Sequence, residues 1–389
     1  MAPDAPVPDA LSPPEGNPRF GLLDSIRGLA ALAVVAFHAT TFSEAQNQPL
    51  GRLLCHLDVG VAVFFFLTGF LIYRPFVAAA YGRAPRVHVR LYCWRRFLRL
   101  APAYWVALAV LAVYPGLQFA IHPRVVANVA FLQIYKEQWS RTGDPVAWSI
   151  CVEASFYLLL PLYAALTSRL REHTRLRNEI VLLGALTIAS LMWRHTLLEN
   201  HAGRYSADPL PGTFAWFSAG MATALISVDE RAARVRALVA RHPLWCWMLA
   251  GLVYLSLLRT PQGFDDGGVF QFALYAVIAA LIVLPAIFAP ESRMLRALHS
   301  RVLRWVGLVS YGIYLYHWPL VHQLHQSLTS LTATEGAVVL SVIGVAVGVA
   351  CGAVSYYVIE RPVLAWKDRR RIERVPWLPR LVGVTAGDG

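Results

Sequence analysis

Residues 21–42 read GLLDSIRGLAALAVVAFHATTF. At 1.5 Å per residue a helix of this length covers about 33 Å, enough to cross the ~30 Å hydrocarbon core of a bilayer. Its ionisable side chains are Asp24 and Arg27 near one end and His38 near the other. Residues 1–20 are rich in Pro, Asp and Ala and lack the basic start of a cleavable signal. The apolar run is therefore expected to stay in place as a first membrane helix behind a flexible tail.

The rest of the chain repeats this pattern. It is 57% hydrophobic and 15% charged, with mean hydropathy +0.49, above the apolar share of a soluble domain. Apolar stretches of spanning length recur at about 21–42, 57–77, 97–114, 146–167, 180–198, 212–228, 244–258, 267–289, 306–328 and 335–359. The expected fold is all-α, a polytopic membrane protein of about ten transmembrane helices around a polar cavity. A flexible tail over 1–20, a membrane domain over 21–360 and a basic tail over 361–389 make up the chain. The segment 127–135 is too short to span and reads as interfacial or re-entrant.

An even number of spans puts both termini on one side, and the loops say which. Twenty-five Lys and Arg fall in the loops around residues 83–99, 169–177, 231–241 and 293–304 and in the tail from Arg361 to Arg380. Only seven, Arg52, Arg124, Lys136, Arg141, Arg194, Arg204 and Arg259, fall in the opposite loops. Positive-inside bias places both termini in the cytoplasm of a multi-pass inner-membrane protein. The net charge of +12 is thus a topology signal and not a nucleic-acid groove. Five scattered cysteines lack the spacing of a metal site or a disulfide framework.

Ionisable residues inside spans are costly, so each is a functional candidate. Arg27 and His38 differ by eleven positions, which is ~16 Å along a helix axis and about 20° past three full turns, so one face carries both. Asp58, Glu153 in Trp148-Ser149-Ile150-Cys151-Val152-Glu153, and His317 before Trp318 and Pro319 lie at comparable depth to His38. A histidine with a carboxylate in reach can take a hydroxyl proton. At the opposite end, Arg95, Arg96 and Arg99 are interleaved with Trp94, Phe97, Tyr104 and Trp105, a pattern suited to phosphates and a stacked base. Plainer readings stand beside these. Arg27 can snorkel, the arginines can be interfacial anchors, Glu153 can bond a neighbouring helix, Asp58 can cap a helix or sit among headgroups, and His317 with Pro319 can mark a kink.

Together these segments resemble acyltransferase family 3, the integral-membrane enzymes that O-acylate sugars, glycans and some secondary metabolites. The resemblance rests on the arginine, ten residues, histidine pattern from Arg27 to His38, on FFFLTGFLI at 64–72 with Thr68 where the family usually has serine, and on the Arg-Arg and Pro-Ala-Tyr-Trp elements of 95–105. It extends through 148–161, where Ala154 replaces a frequent second glutamate, through 310–320, and through Ile359-Glu360-Arg361-Pro362. The resemblance implies acyl-CoA as donor substrate, no resident cofactor or metal, and a hydroxyl-bearing acceptor such as an envelope glycan, a glycolipid or a macrolide-type metabolite. It implies His38 as general base or acylated intermediate, tuned by Glu153 or Asp58. Arg27, Arg95, Arg96, Arg99, Tyr104, Ser149 and His317 become the expected substrate-binding residues. A secondary transporter or flippase is the rival class, since it too would hold buried ionisable groups along a polar path.

Overall fold

In lipid every backbone N–H and C=O must be satisfied within the segment, which leaves helices as the solution for these apolar stretches. The computed structural model describes residues 20–116, 122–200, 205–258, 268–328 and 330–366, and among them no strand occurs. The helices are α1 Gly21–Phe42, α2 Pro49–Leu54, α3 Val59–Ala80, α4 Val89–Val113, α5 His122–Val129, α6 Trp148–Thr167, α7 Glu172–Glu199, α8 Leu210–Val228, α9 Ala233–Arg241, α10 Pro243–Leu257, α11 Gly268–Phe288, α12 Arg301–Ser327 and α13 Ala333–Ser355. A short π segment, Tyr356–Glu360, extends α13, and the chain remains helical to Trp366. The tails expected over 1–20 and from 361 lie outside the described residues except for Phe20 and residues 361–366. Arg204 and Arg259 also lie outside them.

All ten predicted stretches are helical, but the count of ten spans is not confirmed. Among the described residues seven helices are long and apolar enough to cross a membrane, and eight if α9 and α10, bent by 78° at their junction, form one broken span. Alone, the 15 residues of α10 reach only ~22 Å. Helix α12 falls outside the set because its middle carries Ser310, Tyr311, Tyr314, Tyr316 and His317, all buried against other helices. A helix shielded from lipid by its neighbours has no need to be lipophilic. The segment expected to be interfacial or re-entrant is the short α5 followed by a one-turn 3-10 helix, Gln133–Tyr135.

Glycines set the two closest helix pairs. A Cβ on Gly307 would stand 1.8 Å from the Asp24 carbonyl oxygen, and one on Gly28 2.8 Å from the Gly307 nitrogen. Helix α1 therefore lies directly on α12, and the ring contacts of His38 with His317 and of Phe42 with Trp318 make the pair parallel. The same device joins α3 to α8, where added Cβ atoms on Gly69 and Gly220 would stand 2.2 and 2.0 Å from the carbonyl oxygens of Phe217 and Phe66. Such close backbone approach is the usual basis of helix association in lipid.

The loops read as basic gather at one end. Arg83 pairs with Glu230 at 3.0 Å, Tyr81 donates to Asp229 at 2.6 Å, Arg175 donates to the Ala80 carbonyl and Arg231 to the Glu172 and His173 carbonyls. Ser25, at the start of α1, donates to the Leu298 carbonyl at 2.6 Å. At the other end Arg141 pairs with Asp208 at 2.7 Å, and Ser206 donates to Glu137. The chain is a multi-pass membrane protein.

Candidate active site

A cavity of about 120 Å³ opens among α1, α3, α4, α6 and α12. Arg27, Thr68, Arg96, Arg99, Ser149, Glu153, Tyr157, Ser310, Tyr311 and Tyr314 line it together with apolar side chains. Of the residues singled out from the sequence, the fold thus brings Arg27, Arg96, Arg99, Ser149 and Glu153 to one place.

Glu153 accepts hydrogen bonds from Thr68 Oγ1 at 2.8 Å and Tyr157 Oη at 2.5 Å, with Arg27 in electrostatic reach. Arg96 lies 5.8 Å from the Tyr157 ring, and its buried Nε has no hydrogen-bond partner among the described residues. Arg99 is partly neutralised, pairing with Glu360 at 3.0 Å and lying 5.8 Å from the Tyr311 ring. Ser149 Oγ and Tyr314 Oη are 2.7 Å apart, tying α6 to α12 at the cavity wall.

Five expected residues sit elsewhere. Arg95 and His317 are absent from the lining of this cavity. Tyr104 is fully buried, accepts from Gln133 Nε2 at 3.2 Å and packs on Phe131, so it anchors the short 3-10 helix that follows α5. Asp58 occupies the N-cap position of α3, but its side chain makes no capping hydrogen bond. It is buried, and it accepts from Tyr275 Oη at 2.5 Å, with Gln271 and His56 bonded to the same tyrosine. It thereby joins the start of α3 to α11. His38 stands one layer above the cavity, partly exposed, with the rings of Phe37, Phe42 and His317 around it at 4.8, 6.3 and 5.2 Å.

This arrangement corrects the expected pairing of His38 with a carboxylate. Glu153 is held by Thr68 and Tyr157, and Asp58 by Tyr275. The ring beside His38 is His317, whose Nδ1 donates to the Tyr314 carbonyl at 2.8 Å. Tyr314 in turn lines the cavity, with its ring 5.5 Å from that of His317. Cavity, Tyr314, His317 and His38 therefore follow one another in contact.

With this geometry in hand, comparison with known proteins is decisive. Residues 21–357 match the family described as "Acyltransferase domain". The chain belongs to that acyltransferase family. It is 25% identical over 374 residues to the peptidoglycan O-acetyltransferase OatA of Listeria monocytogenes, covering 88% of this chain and 55% of that protein. It is 23% identical over 389 residues to acyltransferase MdmB of Streptomyces mycarofaciens, covering 91% and 95%, and 25% identical over 332 residues to nodulation protein 10 of Rhizobium leguminosarum bv. viciae, covering 77% and 83%. The chain spans about half the length of OatA. No solved structure matches.

Two features of this acyltransferase escaped sequence reasoning. Arg141 is braced by Asp208, lies 4.2 Å from the Tyr205 ring and 5.1 Å from the Trp148 ring, and is in electrostatic reach of His38. The available signal was its position in a loop on the arginine-poor side. Nearby Asp144 is buried, and loss of hydration pushes its carboxyl up to about 8, against the Val146 N–H it accepts. The second feature is an open apolar groove of about 490 Å³ between α4, α6 and the end of α5, with Ala154, Leu158 and Trp105 in its wall. Ala154, in place of the family's frequent glutamate, keeps that wall apolar.

Proposed function

We propose that this acyltransferase transfers a short acyl group, such as acetyl, from acyl-CoA to a hydroxyl of an envelope carbohydrate or glycolipid, with His38 as general base. The observation that carries the reading is the cavity lined by Arg27, Arg96 and Arg99 at the basic end, with His38 beyond it on the same helix as Arg27. Arg27, Arg96 and Arg99 receive CoA phosphates and the polar start of its arm, since guanidinium forks match phosphate oxygens. Arg95 supplies further charge at the mouth.

In this scheme His38 removes the acceptor's hydroxyl proton as the oxygen attacks the thioester carbonyl. The tetrahedral oxyanion collapses, the C–S bond breaks, and the CoA sulfur leaves with the proton held by His38. The Arg141 guanidinium offsets negative charge as it develops on the carbonyl oxygen. In the variant scheme His38 itself attacks the thioester, and the acceptor then takes the acyl group from the acyl-imidazole. The gathering of the basic loops at one end supports a cytoplasmic location for that end, hence for both termini, in the plasma membrane of a bacterium.

The name of OatA supports a glycan acceptor. A smaller metabolite of macrolide type, an acceptor the family resemblance also implies, is the second reading. Two measurements test the proposal. Purified protein in lipid nanodiscs is expected to bind acetyl-CoA with micromolar affinity, and a deletion strain to lack one acetyl ester from either its envelope or its secreted metabolites. No acetyl-CoA binding, together with an unchanged ester profile, returns the transporter reading to first place.

A further inference from the structure

The histidine beside His38 has one nitrogen committed and one unspent. His317 is 1% exposed, and its Nδ1 donates to the Tyr314 carbonyl at 2.8 Å. Because a carbonyl only accepts, Nδ1 carries the proton, and in the neutral ring Nε2 is left with a bare lone pair. Among the described residues that buried Nε2 has no hydrogen-bond partner. A buried polar atom without a partner is costly and calls for an explanation, of which a catalytic role is one. A histidine kept only to shape the helix before Pro319 gives no reason for it.

We propose that His317 is the positioning residue of the catalytic imidazole, accepting through Nε2 an N–H from His38 where other enzymes use a carboxylate. The inference rests on the reading of His38 as the proton-accepting base. The ring centroids lie 5.2 Å apart. The two rings make no hydrogen bond as they stand, but imidazole nitrogens lie about 1.2 Å from the ring centre, so rotation of the rings until two nitrogens face each other at this separation brings them to roughly 2.8 Å, ordinary hydrogen-bond distance. Donation by His38 fixes its tautomer, leaves its other nitrogen bare to take the acceptor's proton and lets the two rings share the positive charge that forms when that proton arrives. When the thioester collapses, that proton passes from His38 to the CoA sulfur. His317 begins and ends the cycle neutral and touches no reacting atom.

The surroundings suit a neutral partner. Arg141 places positive charge near His38, while Glu153 and Asp58, the carboxylates expected there, are held by other partners. On α13 the residue facing His317 is the apolar Gly348, which brings no charge to the ring.

The test uses the full chain in nanodiscs, with thiol release from acetyl-CoA followed in the presence of solubilised peptidoglycan fragments. His317→Ala is expected to lower kcat about 100-fold while leaving KM for acetyl-CoA within about twofold. Added imidazole should restore at least about tenfold of the loss, and His317→Gln, whose amide oxygen can accept the same bond, should retain more activity than the alanine variant. Full activity in His317→Ala overturns the inference. So does a loss that neither imidazole nor glutamine relieves while acetyl-CoA binding stays normal. His38→Ala run in parallel separates the two claims: if it is inactive while His317→Ala is fully active, the base stands and the positioning role falls. Full turnover in His38→Ala removes both.

Discussion

Thr68 Oγ1 on α3 donates to Glu153 Oε1 on α6 at 2.8 Å, closing one side of the arginine-lined cavity. The hydroxyl is what the position requires, and serine supplies it as well as threonine. Thr68→Ser should behave as the parent. Thr68→Val removes one of the two hydrogen bonds to a carboxylate, at a cost of about 1.5–3 kcal/mol. Glu153 is then free to pair with Arg27, which weakens anion binding. Acetyl-CoA affinity by titration should fall severalfold in the valine variant alone.

Arg99 and Glu360 form an ion pair at 3.0 Å, with side chains 21% and 3% exposed. The pair joins α4 to the π segment that ends the last helix. Glu360→Ala leaves a cation with no ion-pair partner at the cavity mouth and should cost about 2–3 kcal/mol, below the full value for a buried pair because Arg99 is partly solvated. Truncating Arg99 as well should recover part of the loss. A thermal-melt double-mutant cycle checks this, and strict additivity would mean the two side chains do not interact.

Asp144 gives a pH dependence with a defined sign. Its carboxyl is held up at about 8 against an ordinary 3.8, so the folded protein keeps a proton that the unfolded chain releases. The stability this confers is complete below about pH 4 and is lost as pH rises through about 8. Asp144→Asn keeps an oxygen for the Val146 N–H and cannot ionise. The variant should match its parent in melting temperature at or below about pH 4 and exceed it increasingly as pH rises, by several degrees at pH 8–9. Parallel curves across that range would show that the site titrates normally.

Much of this was legible in the residues. Helix α1 begins and ends where its apolar run does, and all ten apolar stretches became helices, because lipid forces backbone bonds inside each segment. The number of spans was less legible. The polar middle of α12 and the 78° bend between α9 and α10 depend on which neighbours cover a helix, and hydropathy does not encode that. The site was legible at its inner end, where Arg27, Arg96, Arg99, Ser149 and Glu153 converge as their positions along the helices imply. It was misread at the outer end. Depth alone put Asp58 and Glu153 level with His38, but helix rotation turns Asp58 toward Tyr275 and Glu153 toward Thr68. Arg141 reaches His38 from a loop whose path no periodicity predicts.

The central claim is that His38 carries the chemistry of acyl transfer from CoA. Its most direct test is turnover of acetyl-CoA by His38→Ala in nanodiscs, with donor binding measured on the same sample. The account predicts donor binding within about twofold of the parent and turnover reduced by at least about 100-fold, the scale expected for loss of a general base. Parental turnover with normal insertion in the membrane would contradict it.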